Sequence, residues 1–299
     1  MSEEFTKITI DELIGPPIDI SKLDVSSKSA LSKAAFDLYR ETAMVAVLAS
    51  HLYESYQPER SALPRDQAIG IGLIVRISKF MSSVLALLCD KEREHGEVIM
   101  SLNRCIIESA INLKFFCEEA LELDFEEFVK SSLKPEKEAY DSIQKNISKR
   151  GSTLPIEKRM LNSINLTFRT SGIKEVSELT SIPKRKNYKD ILTIMGMESF
   201  YPFFQGIPSH AIHGTWVDLI LHHLEKTDDG FRPKPEPTVT DARLLCPINL
   251  IILTAIQSYI KKYFIHDSEV FVALVDRISG LLELNNKVDT AHEESISNK

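Results

Sequence analysis

The chain has 299 residues, 43% of them apolar and 26% charged, with a formal net charge of −7. This is the composition of a folded protein whose core needs no staples, so wholesale disorder is excluded. The acidic total gives no global case for a nucleic-acid binder.

Residues 1–25 are poorly periodic and broken at Gly15-Pro16-Pro17, which predicts a loosely docked arm. From Lys28 to Tyr56 apolar residues recur at three- and four-residue steps (Leu31, Ala35, Leu38, Val45, Leu48, Leu52), the period of a helix ended by Gln57-Pro58. A second helix is expected over 65–91 and a third over 97–121. Residues 124–150 read as helical with a break near Pro135, and a shorter helix follows at 155–169. Short helices are expected at 187–195 and 198–205, then a longer one from Pro208 to Glu225. DDGFRPKPEPTV reads as a Pro-rich surface loop, before helices at 240–264 and 268–286. No segment alternates with period two, so no strand is predicted. The expectation is an all-α multi-helix bundle: one domain over 26–286, the arm at 1–25 and a polar, frayed tail at 287–299.

Cys89, Cys105, Cys117 and Cys246 sit in apolar helical contexts without a C-x-x-C pair, as reduced core residues of a cytoplasmic protein do. The acidic N-terminus lacks the apolar core of a signal peptide. The longest apolar runs contain Arg76 and Lys79, or reach about 15 residues in CPINLIILTAIQSYI, short of the ~20 a span needs, so no membrane is expected.

Charge is unevenly placed. Residues 130–189 hold 14 Lys/Arg against 6 Asp/Glu, a balance of +8, which leaves −15 for the remainder. Lys184, Arg185, Lys186 and Lys189 are its densest part, either a phosphate-backbone surface or a solvated face complementing acidic helices. Few aromatics interleave it, against a single-strand stacking platform.

Arg104, Glu108 and Asn112 stand four apart in EVIMSLNRCIIESAINLKFF and share one face of the third helix. Their neighbours Cys105, Ile106, Ile107, Ile111, Leu113 and Phe116 are apolar, so the row needs a partner or a purpose. Glu108 can fix the Arg104 fork by a charge-assisted bond, which suits either an internal ion pair or the capture of a phosphate or carboxylate. In PSHAIHGTWVDL, Pro208 and Ser209 resemble a helix start, and His210 and His213 fall one turn apart. Gly214 leaves room for close approach, and His213 is a candidate general base or acid. The same histidine is equally readable as structural. No metal is expected: His210-x-x-His213 lacks further ligands, Glu92-x-x-His95 lies at a helix end, and His222 points half a turn away. No phosphate loop, dinucleotide fingerprint or nucleophile elbow is present, and no cofactor is expected.

LNRCIIESAINLKFF and YPFFQGIPSHAIHGTW, in this order and about 100 residues apart, resemble an uncharacterised bacterial all-helical family with an Arg-x-x-x-Glu helix and a later Ser-x-x-x-His-Gly, over about residues 30–225. The resemblance implies that Arg104, Glu108, Ser209 and His213 meet in one pocket. More distantly the pattern is similar to the HEPN superfamily of helical ribonucleases and nucleotide-binding proteins, which carry Arg-x(4–6)-His within one helix. Here no Arg precedes His213 at that spacing, so such a nuclease requires Arg104 and His213 to come from different helices. Two functions follow. One is an RNA- or nucleotide-directed defence or stress effector with a metal-independent ribonuclease-like activity. In it His213, Arg104 and Glu108 are catalytic, while Asn112, Ser209, His210, Lys184, Arg185 and Lys186 bind substrate. The other is a non-enzymatic interaction module, with a protein partner or second copy, in which the Arg/Glu/His cluster is a buried structural network.

Overall fold

The computed structural model describes residues 9–19, 23–56, 62–90, 95–236, 244–264 and 269–297. The described residues are built almost wholly of helix, as the all-α expectation requires. They group into two compact units, one from 1–119 with 191–299 and the other from 120–190.

The first unit is a bundle of five long helices: α2 (Lys28–Tyr56), α3 (Arg65–Leu88), α4 (Gly96–Glu118), α11 (Leu245–Tyr263) and α12 (Glu269–Ser297). α4 packs against α3 and α11, and α2 against α3, α11 and α12. Leu38, Tyr39, Ile74, Ile77, Ile106, Ile111, Ile252 and Tyr259 are fully buried at the spacing their helices dictate. One contact is unusually close. A Cβ added to Gly70 of α3 would lie 2.6 Å from the Tyr259 ring of α11. α3 is also long and apolar enough to cross a membrane, yet its Gly70, Ile74, Ile77, Met81 and Val84 are buried within the bundle.

Before α2 lies α1 (Ile10–Ile14), started by a capping box between Thr9 and Glu12. Its end is hooked by Arg277 of α12, which donates to the Gly15 carbonyl. The C-terminal tail, expected to fray, instead continues α12 as far as Ser297. Val288 and His292, one turn apart, are both buried and anchor it.

The helix expected from Pro208 to Glu225 is not continuous. α9 (Ile207–His213) stops at Gly214, which takes the left-handed conformation at φ 55°. A short turn, α10 (Trp216–Asp218), then runs into a π-turn at Leu219–His223. The expectation of no strand is also corrected. β1 (Leu224–Thr227) and β2 (Gly230–Pro233) form an antiparallel hairpin with Thr227 opposite Gly230. Asp228-Asp229-Gly230 supplies the turn chemistry that reverses the chain, inside the stretch read as helix end and loop.

The second unit holds α5 (Glu122–Ser132), α6 (Lys134–Arg150) and α7 (Pro155–Thr170). Pro135 enters α6 in its first turn, where its missing N–H costs nothing. Gly151 ends α6 at φ 75°, its N–H closing on the Ile147 carbonyl at 2.7 Å. Glu157 reaches back to the Leu154 N–H at 2.8 Å and is also bonded by Arg150, which fixes the α6–α7 turn. Leu133, Ile143, Ile164, Phe168, Ile173, Val176 and Leu179 form this unit's own core. α8 (Tyr188–Ile194) begins at a reciprocal cap, Asn187 to Asp190 at 2.9 Å and Asp190 to Asn187 at 3.0 Å.

Candidate functional site

α4 presents two different sides. Ile99, Asn103, Ile106, Ala110 and Leu113 face the bundle, while Arg104, Glu108 and Asn112 run along a partly covered flank. Arg104 is nearly enclosed, with 11% of its side chain exposed, and Glu108 keeps 36%. The Arg104 Nε donates to Glu108 Oε1 at 3.1 Å, as the four-residue spacing predicts.

The cover over this flank is the segment Tyr201–Gly214. Pro208 has no N–H to give to the carbonyl four residues back, and the chain before it widens into a π-turn at Pro202–Gly206. Gln205 lies in that turn and closes a triangle with α4. With the Gln205 amide oriented to match its neighbours, its oxygen accepts from Arg104 Nη2 at 2.6 Å and its nitrogen donates to Glu108 Oε1 at 2.8 Å. The Ser209 hydroxyl donates to the Gln205 carbonyl at 2.5 Å, so it braces the turn. Arg104 Nη1 is buried and finds no acceptor among the described residues.

The structure thus brings Arg104, Glu108 and the Ser209 turn together. His210 and His213 sit otherwise. His210 Nδ1 pairs with Thr215 Oγ1 at 2.7 Å across the Gly214 turn. His213 is the exposed last residue of α9, and no hydrogen bond or ion pair among the described residues joins it to Arg104 or Glu108. Asn112 lies one turn beyond Glu108, partly buried. Lys184, Arg185 and Lys186 belong to the second unit. There Lys186 bonds Asp124, and the Arg185 guanidinium lies 4.6 Å from the Phe128 ring centre. Lys184 is exposed.

Three polar groups carry weight that residue types alone did not reveal. Gln205 is the first, and its one signal is being the lone amide in an aromatic run four residues before Ser209. The second is a buried ion pair, Arg277 Nε to Glu41 Oε1 at 2.5 Å, against a cleft of ≈ 440 Å³ between α1 and α12. Burial raises the Glu41 carboxyl pKa above its ordinary value, against the pull of Arg277. The third is His223, whose Nε2 is 3.2 Å from Glu97 and 3.5 Å from buried Asp218. The Arg277–Glu41 and His223–Glu97 pairings are not visible in sequence, because those partners are more than 100 residues apart. Among the described residues no three His, Cys, Asp or Glu side chains are arranged to hold a metal.

A family model described as a family of unknown function (DUF5677) matches residues 67–231, a span that contains both the Arg104 row and the Gln205–His213 segment. No curated protein and no solved structure matches the chain.

Proposed function

The chain belongs to the DUF5677 family of unknown function, and we propose that it is a non-enzymatic helical interaction module. Its Arg104–Glu108–Gln205 triangle acts as a latch holding the Tyr201–Gly214 segment on α4. The observation that carries this reading is the Gln205 side chain, which satisfies both members of the ion pair at once. A catalytic guanidinium needs donors turned toward the reacting group. Here Nε and Nη2 are already spent on protein partners.

A second reading, the HEPN-like RNA- or nucleotide-directed effector, draws on one specific observation. The buried Arg104 Nη1 has no acceptor among the described residues, and a phosphate oxygen would supply one.

Two substitutions separate the readings. Gln205→Ala removes one partner from a partly buried charged network and should cost about 1–3 kcal/mol in a denaturant melt. His213→Ala, exposed and outside the network, should stay within about 0.5 kcal/mol of wild type. The module reading also expects no cleavage of a single-stranded RNA by wild-type protein. Cleavage that His213→Ala abolishes would overturn it in favour of the effector.

A further inference from the structure

We propose that the segment covering α4 is a dimer face, and that its occupant is a second copy of this chain. The proposal names the partner for the module reading and rests on it. Phe203, Ile207, Ile212, Trp216, Leu221 and Phe231 are each about half exposed, from 44% at Ile212 to 64% at Phe203. At ~150–250 Å² for a whole aromatic side chain and less for an aliphatic one, these three aromatics and three aliphatics leave roughly 600 Å² of apolar surface open. Val217 and Ile220, also exposed, add to it. The hairpin is tied into this face, because the Phe231 ring meets Trp216 edge-on at 5.2 Å between centroids.

With Val217 and Ile220 the open area reaches past an ordinary surface patch and approaches one side of an interface. The largest apolar patch on a typical monomer is about 300–600 Å². A standard interface covers about 800 Å² on each partner.

Charge then selects the occupant. Residues 199–224 contain no Lys or Arg, and their single acid, Asp218, is buried. Its charges lie at the rim, on the hairpin, where Arg232 pairs with Glu225 and Lys226, Asp228 and Asp229 are exposed, a mixed-sign edge that favours neither a polyanion nor a purely basic partner. Two copies of a face whose 199–224 centre is free of exposed acids, Lys and Arg meet there without like-charge repulsion. A two-fold axis lets the same patch serve both sides, which is the commonest arrangement of soluble oligomers. The high apolar share is also that of homodimer interfaces.

The test is the mass of the full chain at micromolar concentration by sedimentation velocity, for wild type, Leu221→Glu and Trp216→Glu. The expected result is a wild-type particle of twice 33.8 kDa and a halved mass for both variants with unchanged melting temperature. Leu221→Glu keeps the experiment decisive if loss of the Trp216–Phe231 contact unsettles the hairpin. A monomeric wild type overturns the proposal, and a monomer that pellets with phosphatidylcholine vesicles assigns the face to a lipid surface instead. A dimer that survives both substitutions overturns it too, by placing the contact elsewhere. The latch stands or falls separately: Gln205→Ala with an unchanged melt defeats the latch whatever the mass.

Discussion

At the scale of single residues, the end of α4 shows how hydrogen bonds outweigh burial. Burial works to raise the Glu118 carboxyl pKa, but bonds from Lys114 and from the Ser258 hydroxyl of α11, each 2.5 Å, hold it below the ordinary value. A carboxylate with a lowered folded pKa stabilises the fold above its unfolded pKa, and that contribution is lost as pH falls through the folded value. Ser258→Ala should therefore cost about 1 kcal/mol or less at neutral pH, since Glu118 is 38% exposed and solvent screens it. The gap between variant and wild type should close in melts below the folded pKa of Glu118. A gap that persists unchanged in acid would mean the hydroxyl matters only to its own helix. Arg104 and Glu108 were legible because helical spacing pairs neighbours on one element. Gln205 was not, because nothing local says which distant side chain a lone amide will meet.

Between elements, the approach of α3 to α11 turns on one missing methyl group. Gly→Ala in a helix ordinarily stabilises by about 0.5–1 kcal/mol. At Gly70 the new Cβ would stand 2.6 and 2.9 Å from two ring carbons of fully buried Tyr259, which has no room to retreat. Overpacking of this kind costs about 1–3 kcal/mol, so Gly70→Ala should lower the urea midpoint. Gly72→Ala, with open space around its Cβ, should raise it and serves as the control. The long helices were readable because each repeats its apolar stripe over several turns. The stretch from Pro208 to Glu225 reads as one helix in sequence because its breaks depend on a left-handed Gly214 and the π-turn at Leu219–His223. These leave no mark on apolar periodicity.

At the scale of the whole molecule, the distribution of charge follows the division into units. The basic stretch read over 130–189 falls within the unit at 120–190, which closes its own core around Phe168. Within it Lys130, Lys134, Lys137 and Arg150 pair with Glu126, Glu138, Asp141 and Glu157. Over the whole unit 14 Lys/Arg stand against 11 Asp/Glu, so most of the cationic excess of 130–189 is offset inside it. About 70 residues with one core should retain a few kcal/mol of stability. A fragment of residues 120–190 is expected to melt cooperatively by far-ultraviolet circular dichroism. Phe168→Ala, at about 3–5 kcal/mol, should leave it unfolded. A wild-type fragment without a transition would show that this unit leans on the rest of the chain.

The π-turn at Pro202–Gly206 has a consequence for how this segment tolerates changes in length. Each residue advances a helix by about 100°. A turn that carries one residue more than α-geometry requires therefore sets the compass bearing of everything after it. Deleting a residue between Tyr201 and Gln205 would keep every partner of the latch in the chain while swinging Gln205 off the Arg104 flank. Residue count, as much as residue identity, aims this segment at α4.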